Sequence, residues 1–543
     1  MDNGKLKYKT MKMTRNIKNK VQDYILPTLT GRGWGWVFCL LCLGLASCED
    51  WFSTPPESEM VRNDFWKKKS DVEGAMGACY RTLADQGVIK RLLVWGELRG
   101  DNVLDGRNRE DNIYKILTAN ITPTNEYTKW NHFYTCINEC NTLMANAPGV
   151  QSEDPDYSTA ELNQHLAEAK AIRAFCYFTL VRAFKDVPYV TEPYEDDSRP
   201  FLMPQTAGDE LLAQELASLK AADTQAPVLW TENTPYTKGR VTQKAVWALE
   251  ADIALWLNRY QECIEACDKV LTTTTNPLAL ERSSTYFRNV FSTGNSDESI
   301  WELQLDQNNP NYAVRDFFGD QNTDACFSSY NFSNVGGSND LFLTLRDLRR
   351  MNAFVSSGAF YAIKKYNALR INTANTTARE ADFQWGDANC NWILYRLPDI
   401  YLMKAEALAE LGGADQLQEA VRLCGLTYDR ANPDLEAGSL TTGYTSQDDV
   451  RRLVLDERQR EFLYEGKRYF DLMRLMRREG TPTQVLETYL RRKYEEIVAM
   501  WSDIRPKLND VDAIYMPINR DELRANTLLK QNRFYETSSD ITR

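Results

Sequence analysis

Apolar residues recur every three to four positions along most of the chain after residue 60, which is the spacing of amphipathic helices. In residues 65–85, Val72, Met76, Cys79 and Leu83 fall on one helical face, and residues 70–73 have the spacing of a capping box. The pattern predicts a mostly α-helical protein. The predicted helices span residues 65–85, 127–147, 162–184, 209–220, 242–258, 260–271, 400–411, 416–430 and 448–478, the last as one bent helix or two.

Neighbouring helices at 242–271 and at 400–430 are short and separated by turns, which predicts two helical hairpins. Alanine at the helix crossings and an aromatic residue near the turn are typical of tetratricopeptide repeats. We therefore predict a tetratricopeptide-like helical repeat scaffold. The residues that fit the repeats are Ala167, Ala171, Ala174, Phe175, Phe178, Ala251, Ala254, Leu255, Tyr260, Ile264, Ala266, Tyr401, Ala405, Ala407, Leu408, Leu411 and Ala420.

Residues 272–395 break this pattern because they are rich in Asn, Ser, Thr, Gly and aromatic residues. Short strands are predicted over 299–305 and 360–366, and Trp301 is expected to pack under the repeat helices. The aromatic content argues against disorder, and loops on a rigid scaffold are where binding residues concentrate. We expect a single domain over residues 61–543, with a loop-rich ligand-binding segment at about 272–395.

The N-terminal residues have the pattern of a bacterial export signal. A basic stretch is followed by an apolar run at 34–46, which is short for a membrane span but suits a signal peptide over residues 1–47. Leu45-Ala46-Ser47-Cys48 resembles a lipobox, which implies that Cys48 is acylated and becomes the new N-terminus. Residues 48–60 are expected to form an extended tether. Glu49-Asp50 resembles a surface-export signal, with a plain solvated linker as the alternative.

The charge balance restricts the classes of partner. The chain carries a net charge of -12, and because residues 1–47 hold eight basic and two acidic residues, the remainder carries about -18. Such an acidic body argues against nucleic acid binding, which depends on basic side chains that neutralise phosphates. Only two histidines are present, and the nine cysteines after Cys48 form no regular framework, so we expect most of them to be small buried residues.

Several stretches resemble signatures of the SusD/RagB family. They are RAFCYFTLVRAFKDVP at 173–188, RLPDIYLMKAEA at 396–407, ERQREFLYEGKRYFDL at 457–472 and YMPI at 515–518, followed by Asn526 and Gln531-Asn532. The resemblance implies an outer-membrane lipoprotein without a cofactor and without enzymatic activity. Such proteins cap a SusC-like TonB-dependent transporter and help to capture oligosaccharides or, in some branches, peptides. The helical repeats would face the transporter, and loops on the outward face would bind the ligand.

The resemblance implies that the glycan site draws on the loop after the first helix, and the chemistry of sugar recognition indicates which residues are candidates. Aromatic rings stack on the apolar faces of sugar rings, and Asp, Asn and Arg side chains bond the hydroxyls. The candidates lie in the stretch after the first helix and in the loop-rich segment. They are Trp95, Arg99, Asp101, Asn102, Arg107, Asn108, Phe317, Tyr330 and Trp385. For Arg99 and Asp101, a structural ion pair that shapes the loop is an equal alternative. For Phe317, Tyr330 and Trp385, the alternative is packing in the core.

Other functions remain as alternatives. The chain contains none of the H-E-x-x-H, G-x-S-x-G or phosphate-loop motifs that would favour an enzyme. His132, Cys136 and Cys140 recur at helical spacing, as do Cys263 and Cys267, which permits zinc binding but is more typical of apolar helix faces. Peptide or other nutrient binding, or an interaction scaffold without a ligand of its own, remains open.

Overall fold

The computed structural model describes residues 65–194, 202–230, 234–318, 325–332, 341–357, 360–370, 384–385, 389–441, 443–498 and 501–536. The predicted signal peptide, Cys48 and the tether lie outside these residues. Within the described ranges, no helix combines the length and the apolar character needed to cross a bilayer.

Helices make up most of the described chain, in agreement with the sequence-based prediction. They are α1 (Lys69–Leu83), α2 (Gln86–Glu97), α3 (Asp111–Leu117), α4 (Asn131–Glu153), α5 (Thr159–Phe184), α6 (Gly208–Ala222), α7 (Thr234–Gly239), α8 (Gln243–Trp256), α9 (Tyr260–Thr272), α10 (Tyr312–Phe318), α11 (Leu348–Ala353), α12 (Leu397–Leu411), α13 (Ala414–Ala431), α14 (Gln447–Phe462), α15 (Arg468–Glu479), α16 (Thr483–Val485), α17 (Arg491–Val498), α18 (Trp501–Leu508) and α19 (Arg520–Ala525).

The long helices pack in succession as a repeat scaffold. Contacts join each helix to the next one in the order α1, α4, α5, α6, α8, α9, α12, α13 and α14. Alanines lie at the crossings, where Ala251 of α8 and Ala405 of α12 are fully buried, because a small side chain lets two helix backbones approach closely. The predicted tetratricopeptide-like architecture is confirmed, except that Leu411 is exposed at the C-terminal end of α12 instead of packing in the repeat.

Short antiparallel strand pairs occupy the segments between helices. The pairs are β1 (Val103–Asp105) with β5 (Phe327–Ser329), β2 (Val187–Pro188) with β3 (Gln205–Thr206), β4 (Ser299–Leu303) with β10 (Trp392–Arg396), β6 (Phe354–Ser357) with β7 (Phe360–Ile363), and β8 (Ala368–Arg370) with β9 (Gln384–Trp385). Strands β4 and β7 confirm the predicted strands. Trp301 of β4 is buried against Phe175 of α5, as expected.

Two local predictions differ from the structure. Helix α1 is capped by Asp71, whose carboxylate accepts the backbone N–H groups of Lys67 and Lys68, and not by a box at residues 70–73. The predicted helix over 448–478 is two helices, because Tyr464 and Gly466 adopt positive φ angles of 62° and 71° between α14 and α15. A left-handed residue cannot continue an α-helix, so the chain turns there.

A buried network of ion pairs joins the loop-rich segment to the repeat helices. The Arg396 guanidinium lies 2.6 Å from a Glu461 carboxylate oxygen and 2.7 Å from one of Glu465, and Arg430 lies 2.8 Å from Glu298. Burial raises the pKa of Glu465, but Arg396, Lys365 and Lys467 lower it to about 2. The pKa of Glu461 also lies well below its usual range because Arg430, Arg396 and Arg349 outweigh its burial, so Glu461 and Glu465 are charged. Burial raises the pKa of Glu298, and all three carboxylates depend on their basic partners.

Candidate ligand-binding groove

A groove of about 590 Å³ lies beside α14, and its size is within the usual range for small-ligand sites. It combines aromatic, acidic, basic and amide side chains. The lining residues are Asp101, Tyr330, Phe332, Leu341, Arg452, Asp456, Gln459, Glu487, Thr488, Tyr489, Arg491, Arg492, Lys493 and Glu495.

Two helical segments supply most of this lining. On α14, Arg452, Asp456 and Gln459 are spaced i, i+4 and i+7, so they share one face of the helix. The other lining residues of helical origin come from a π-helical turn at Leu486–Leu490 and from the start of α17. A π-helical turn widens the local spacing of side chains and is frequent at functional sites.

The loop after α2 completes the groove and is held in place by distant residues. Asp101 accepts two hydrogen bonds from Arg468, at 2.7 and 3.0 Å. The Lys493 ammonium donates to the backbone carbonyls of Leu98 and Gly100, each at 2.6 Å. Because these partners come from residues 468–493, the shape of this loop depends on the C-terminal part of the chain.

A buried carboxylate supports the same loop from beneath. Glu97 accepts hydrogen bonds from the Asn102 side chain at 2.6 Å and from the backbone N–H groups of Tyr464 and Gly466. Burial raises the pKa of Glu97 from 4.5 to about 7, although these donors oppose the shift. Burial also lowers the pKa of Lys493 from 10.5 to about 7. Both groups therefore change charge near neutral pH.

The raised pKa of Glu97 predicts a pH dependence of stability. A carboxyl group whose pKa is higher in the folded state stabilises the fold below its unfolded pKa, and this stabilisation is lost as the pH rises. Relative to Glu97→Gln, the free energy of unfolding of the natural protein should fall by about 2–3 kcal/mol between pH 4.5 and 7. Urea unfolding of both proteins across this pH range measures this change in the free energy of unfolding. A difference between the two proteins that does not vary with pH would contradict the assignment.

Tyr330, Phe332 and Tyr489 are the aromatic side chains of the groove lining, and Tyr489 is the most exposed of the three. The Tyr330 ring packs edge-on against Phe332, and the Arg492 guanidinium lies over it at 4.5 Å. The Tyr489 ring is half-buried, and Arg468 lies 5.2 Å from its centre. Aromatic carbon surface next to charged and amide groups can contact a sugar ring and bond its hydroxyls at the same time.

The structure brings two of the residues predicted from sequence, Asp101 and Tyr330, into the groove. Asn102 lies directly beneath them, where its side chain bonds Glu97 and accepts a hydrogen bond from Gln459 at 2.8 Å. Its complete burial therefore favours a role in holding the loop over direct contact with a ligand.

The other predicted residues lie elsewhere. Trp95 is in the core, where its indole N–H donates to the Tyr127 carbonyl at 2.8 Å and its ring stacks on Phe133. Arg99 is buried and donates to the backbone carbonyls of Ala513 and Ile514, so it forms no ion pair with Asp101. These positions do not support the prediction that Trp95 and Arg99 contact a ligand, and we leave both out of the groove.

The remaining candidates are near the strand pairs. Phe317 is buried and stacks on Phe327 at 4.7 Å, so its ring serves packing. Arg107 and Asn108 are exposed on the turn after β1, and the backbone N–H of Asn108 donates to the Ala325 carbonyl. Trp385 lies in β9, opposite Ala368. For Arg107, Asn108 and Trp385, contact with a ligand stays a prediction.

Arg452, Asp456 and Tyr489 were missed by the sequence reasoning. Arg452 and Asp456 immediately precede the family-like stretch that begins at residue 457, and their i, i+4 spacing on a polar helix face was the available signal. Tyr489 lies in a segment for which no element was predicted, because the π-helical turn disrupts the regular helical periodicity there.

The described residues give no support to a metal site. His132 bonds the Asp85 carboxylate at 2.8 Å, and Cys136 and Cys140 are buried in the core. Among the side chains that the structure describes, no three His, Cys, Asp or Glu groups are placed to hold a metal ion. The nine cysteines in these ranges are all buried and unpaired.

Comparison with known families gives two matches. The family described as "SusD family" matches residues 347–535, and the family described as "Starch-binding associating with outer membrane" matches residues 96–255. Together the two matches cover well over half of the chain, and they include both α14 and the loop that carries Asp101.

Individual proteins show the same similarity over most of their length. The chain is 27% identical over 485 residues to SusD-like protein P38 of Formosa agariphila, covering 80% of this chain and 90% of the relative. It is 24% identical over 482 residues to SusD-like protein P2 of the same organism, covering 81% and 90%.

Solved structures share the fold. A SusD superfamily protein from Bacteroides vulgatus aligns with a TM-score of 0.66 at 21% identity, covering 87% of this chain and all of that one. Surface glycan-binding protein A from Bacteroides uniformis aligns with a TM-score of 0.63 at 22% identity, covering 86% of this chain and all of that one.

Proposed function

This chain belongs to the SusD/RagB family, and we propose that it is a cell-surface protein that captures oligosaccharides in the groove beside α14 and delivers them to a SusC-like TonB-dependent transporter. The observation that carries the proposal is the groove itself, where Tyr330 and Tyr489 lie next to acidic, basic and amide side chains. We further propose that the protein binds without catalysis.

The chemistry of the groove supports a carbohydrate ligand. A sugar ring presents apolar C–H faces that pack on an aromatic ring, and its hydroxyls both donate and accept hydrogen bonds. Within one concave surface, the groove offers aromatic rings for the C–H faces and polar side chains for the hydroxyls. The description of the matching N-terminal family as starch-binding, and the name of the similar glycan-binding protein from Bacteroides uniformis, support the same class of ligand.

The N-terminal residues and the family support a proposal for the location and the partner of the protein. We propose that an acyl chain on Cys48 anchors the protein to the outer membrane, facing outward, and that residues 48–60 tether the body. The reference to the outer membrane in the family description supports this location. Palmitate labelling lost in Cys48→Ser tests the anchor, and co-purification from detergent-solubilised outer membranes tests the transporter partner.

The ligand site is tested by calorimetry of the full chain against glycan and peptide panels. We expect a glycan to bind and Tyr489→Ala to weaken it by about tenfold, because the ring contributes apolar contact area. Tyr236→Ala is the matched control, since Tyr236 is well exposed and does not line the groove.

Each other outcome of that experiment is informative. Unchanged affinity in Tyr489→Ala, with circular dichroism showing a folded protein, would place the ligand elsewhere. Binding to peptides but to no glycan would favour the peptide alternative. If the protein binds no member of either panel but still associates with the transporter, it would be a scaffold without a ligand of its own.

A further inference from the structure

Most charged side chains that line the groove are already neutralised by partners. Asp101 forms its two hydrogen bonds with Arg468. Glu487 lies 2.5 Å from Arg505, and Glu495 lies 2.7 Å from Arg491. A ligand that bonded these carboxylates would have to share them with a basic partner that is already in place.

Arg452 and Asp456 differ from the other charged residues of the lining. They are one turn apart on the groove face of α14, and neither side chain forms a hydrogen bond or an ion pair with any residue that the structure describes. Arg452 is exposed, while Asp456 is only partly so. Burial and the charge of Asp101 raise the pKa of Asp456, and the charges of Arg460, Arg468 and Arg452 oppose that shift. The groove therefore presents one uncommitted donor group beside one uncommitted acceptor.

We propose that this pair makes the groove selective for neutral glycans, with Asp456 accepting from one sugar hydroxyl and Arg452 donating to a neighbouring one. The inference rests on the proposed function and names the substrate class of that same site. A hydroxyl both donates and accepts, so it can satisfy either member of the pair, whereas a carboxylate or a sulfate on the sugar only accepts.

The charge of the groove lining also favours a neutral ligand over an acidic one. Four basic residues (Arg452, Arg491, Arg492 and Lys493) face four acidic ones (Asp101, Asp456, Glu487 and Glu495). Burial lowers the pKa of Lys493 to about 7, so the positive charge of the lining does not exceed its negative charge. An acidic sugar close enough to bond Arg452 would also lie near Asp456, and like charges at short distance are strongly unfavourable. No excess of basic groups in the described lining compensates for this repulsion.

Matched oligosaccharide pairs test the inference. Galacto- and manno-oligosaccharides are compared by calorimetry with oligogalacturonates and oligomannuronates of the same linkage and length, so that the members of each pair differ only by the carboxylate at C6. For any sugar series that binds, we expect the neutral member to bind at least about tenfold more tightly. Asp456→Asn and Arg452→Gln should each lower the affinity for the neutral ligand by about tenfold. Asp456→Asn should also reduce the difference in affinity between the neutral and the acidic member of a pair.

The control and the contrary results are specific. Asp448→Asn makes the same chemical change on an exposed position of α14 and should leave the affinity unchanged. Uronates that bind as tightly as their neutral partners would overturn the inference, as would Arg452→Gln abolishing uronate binding while sparing the neutral ligand. Absence of binding in these series and across the whole glycan panel would instead reject the proposed function itself.

Discussion

Replacing Arg396 with leucine should lower the free energy of unfolding by about 3–5 kcal/mol. The guanidinium is fully buried and bonds Glu461 and Glu465, and it also lies 3.2 Å from Glu298. Removing it leaves these carboxylates short of compensating charge in a site that water does not reach. Arg430 pairs with Glu298 and Glu461, and Lys365 pairs with Glu465. Neither residue pairs with all three carboxylates.

Urea unfolding of the full chain measures this loss, and Arg422→Ala is the matched control. Arg422 pairs with Glu419 on the surface of α13, where exposed ion pairs contribute little, so its loss should cost less than about 1 kcal/mol. If Arg396→Leu were as stable as the control, the buried network would not hold the loop-rich segment to the repeat helices.

Gly96→Ala should destabilise the protein by about 3 kcal/mol or more. A Cβ atom at this position would lie 1.6 Å from the Gly466 carbonyl oxygen, which belongs to the backbone and cannot rotate away. Helix α2 crosses the turn between α14 and α15 at this point, so the two elements would have to separate. Separation would also stretch the hydrogen bond from Gly466 to Glu97. Overpacking of this kind is costly because the core is close-packed.

The control for this substitution is Gly77→Ala in α1. A Cβ atom there meets nothing within 4 Å, and alanine is the better helix former, so stability should be unchanged or rise by up to about 1 kcal/mol. Thermal and urea unfolding compare the two variants. Equal effects from both would contradict the close approach of α2 to the turn.

The repeat scaffold could be predicted from sequence because its signal is local. Helical periodicity depends on residues three and four positions apart, and it located α5, α8 and α9 within a few residues of their observed bounds. Helix α2 was missed although Val88, Leu92 and Trp95 are spaced i, i+4 and i+7. That stripe should have placed Trp95 on a buried face.

The groove could be predicted only in part because its signal is not local. An aromatic residue beside Asp, Asn and Arg has the right chemistry for a sugar site, but composition does not show which side chain faces outward. Asp101 lines the groove while Asn102, the next residue, is buried, and the difference depends on Arg468 and Gln459, more than 350 residues away. Such pairings belong to the tertiary fold and leave no trace in the spacing.

These distant pairings also govern the order in which the molecule can assemble. Arg99 bonds carbonyls 414 and 415 positions further along the chain, and Lys493 holds the loop after α2 across 393 positions. Contacts of such sequence separation slow folding, since long loops must close before they form. During synthesis, the N-terminal wall of the groove emerges long before its partners. The groove can therefore form only when almost the whole chain has been synthesised.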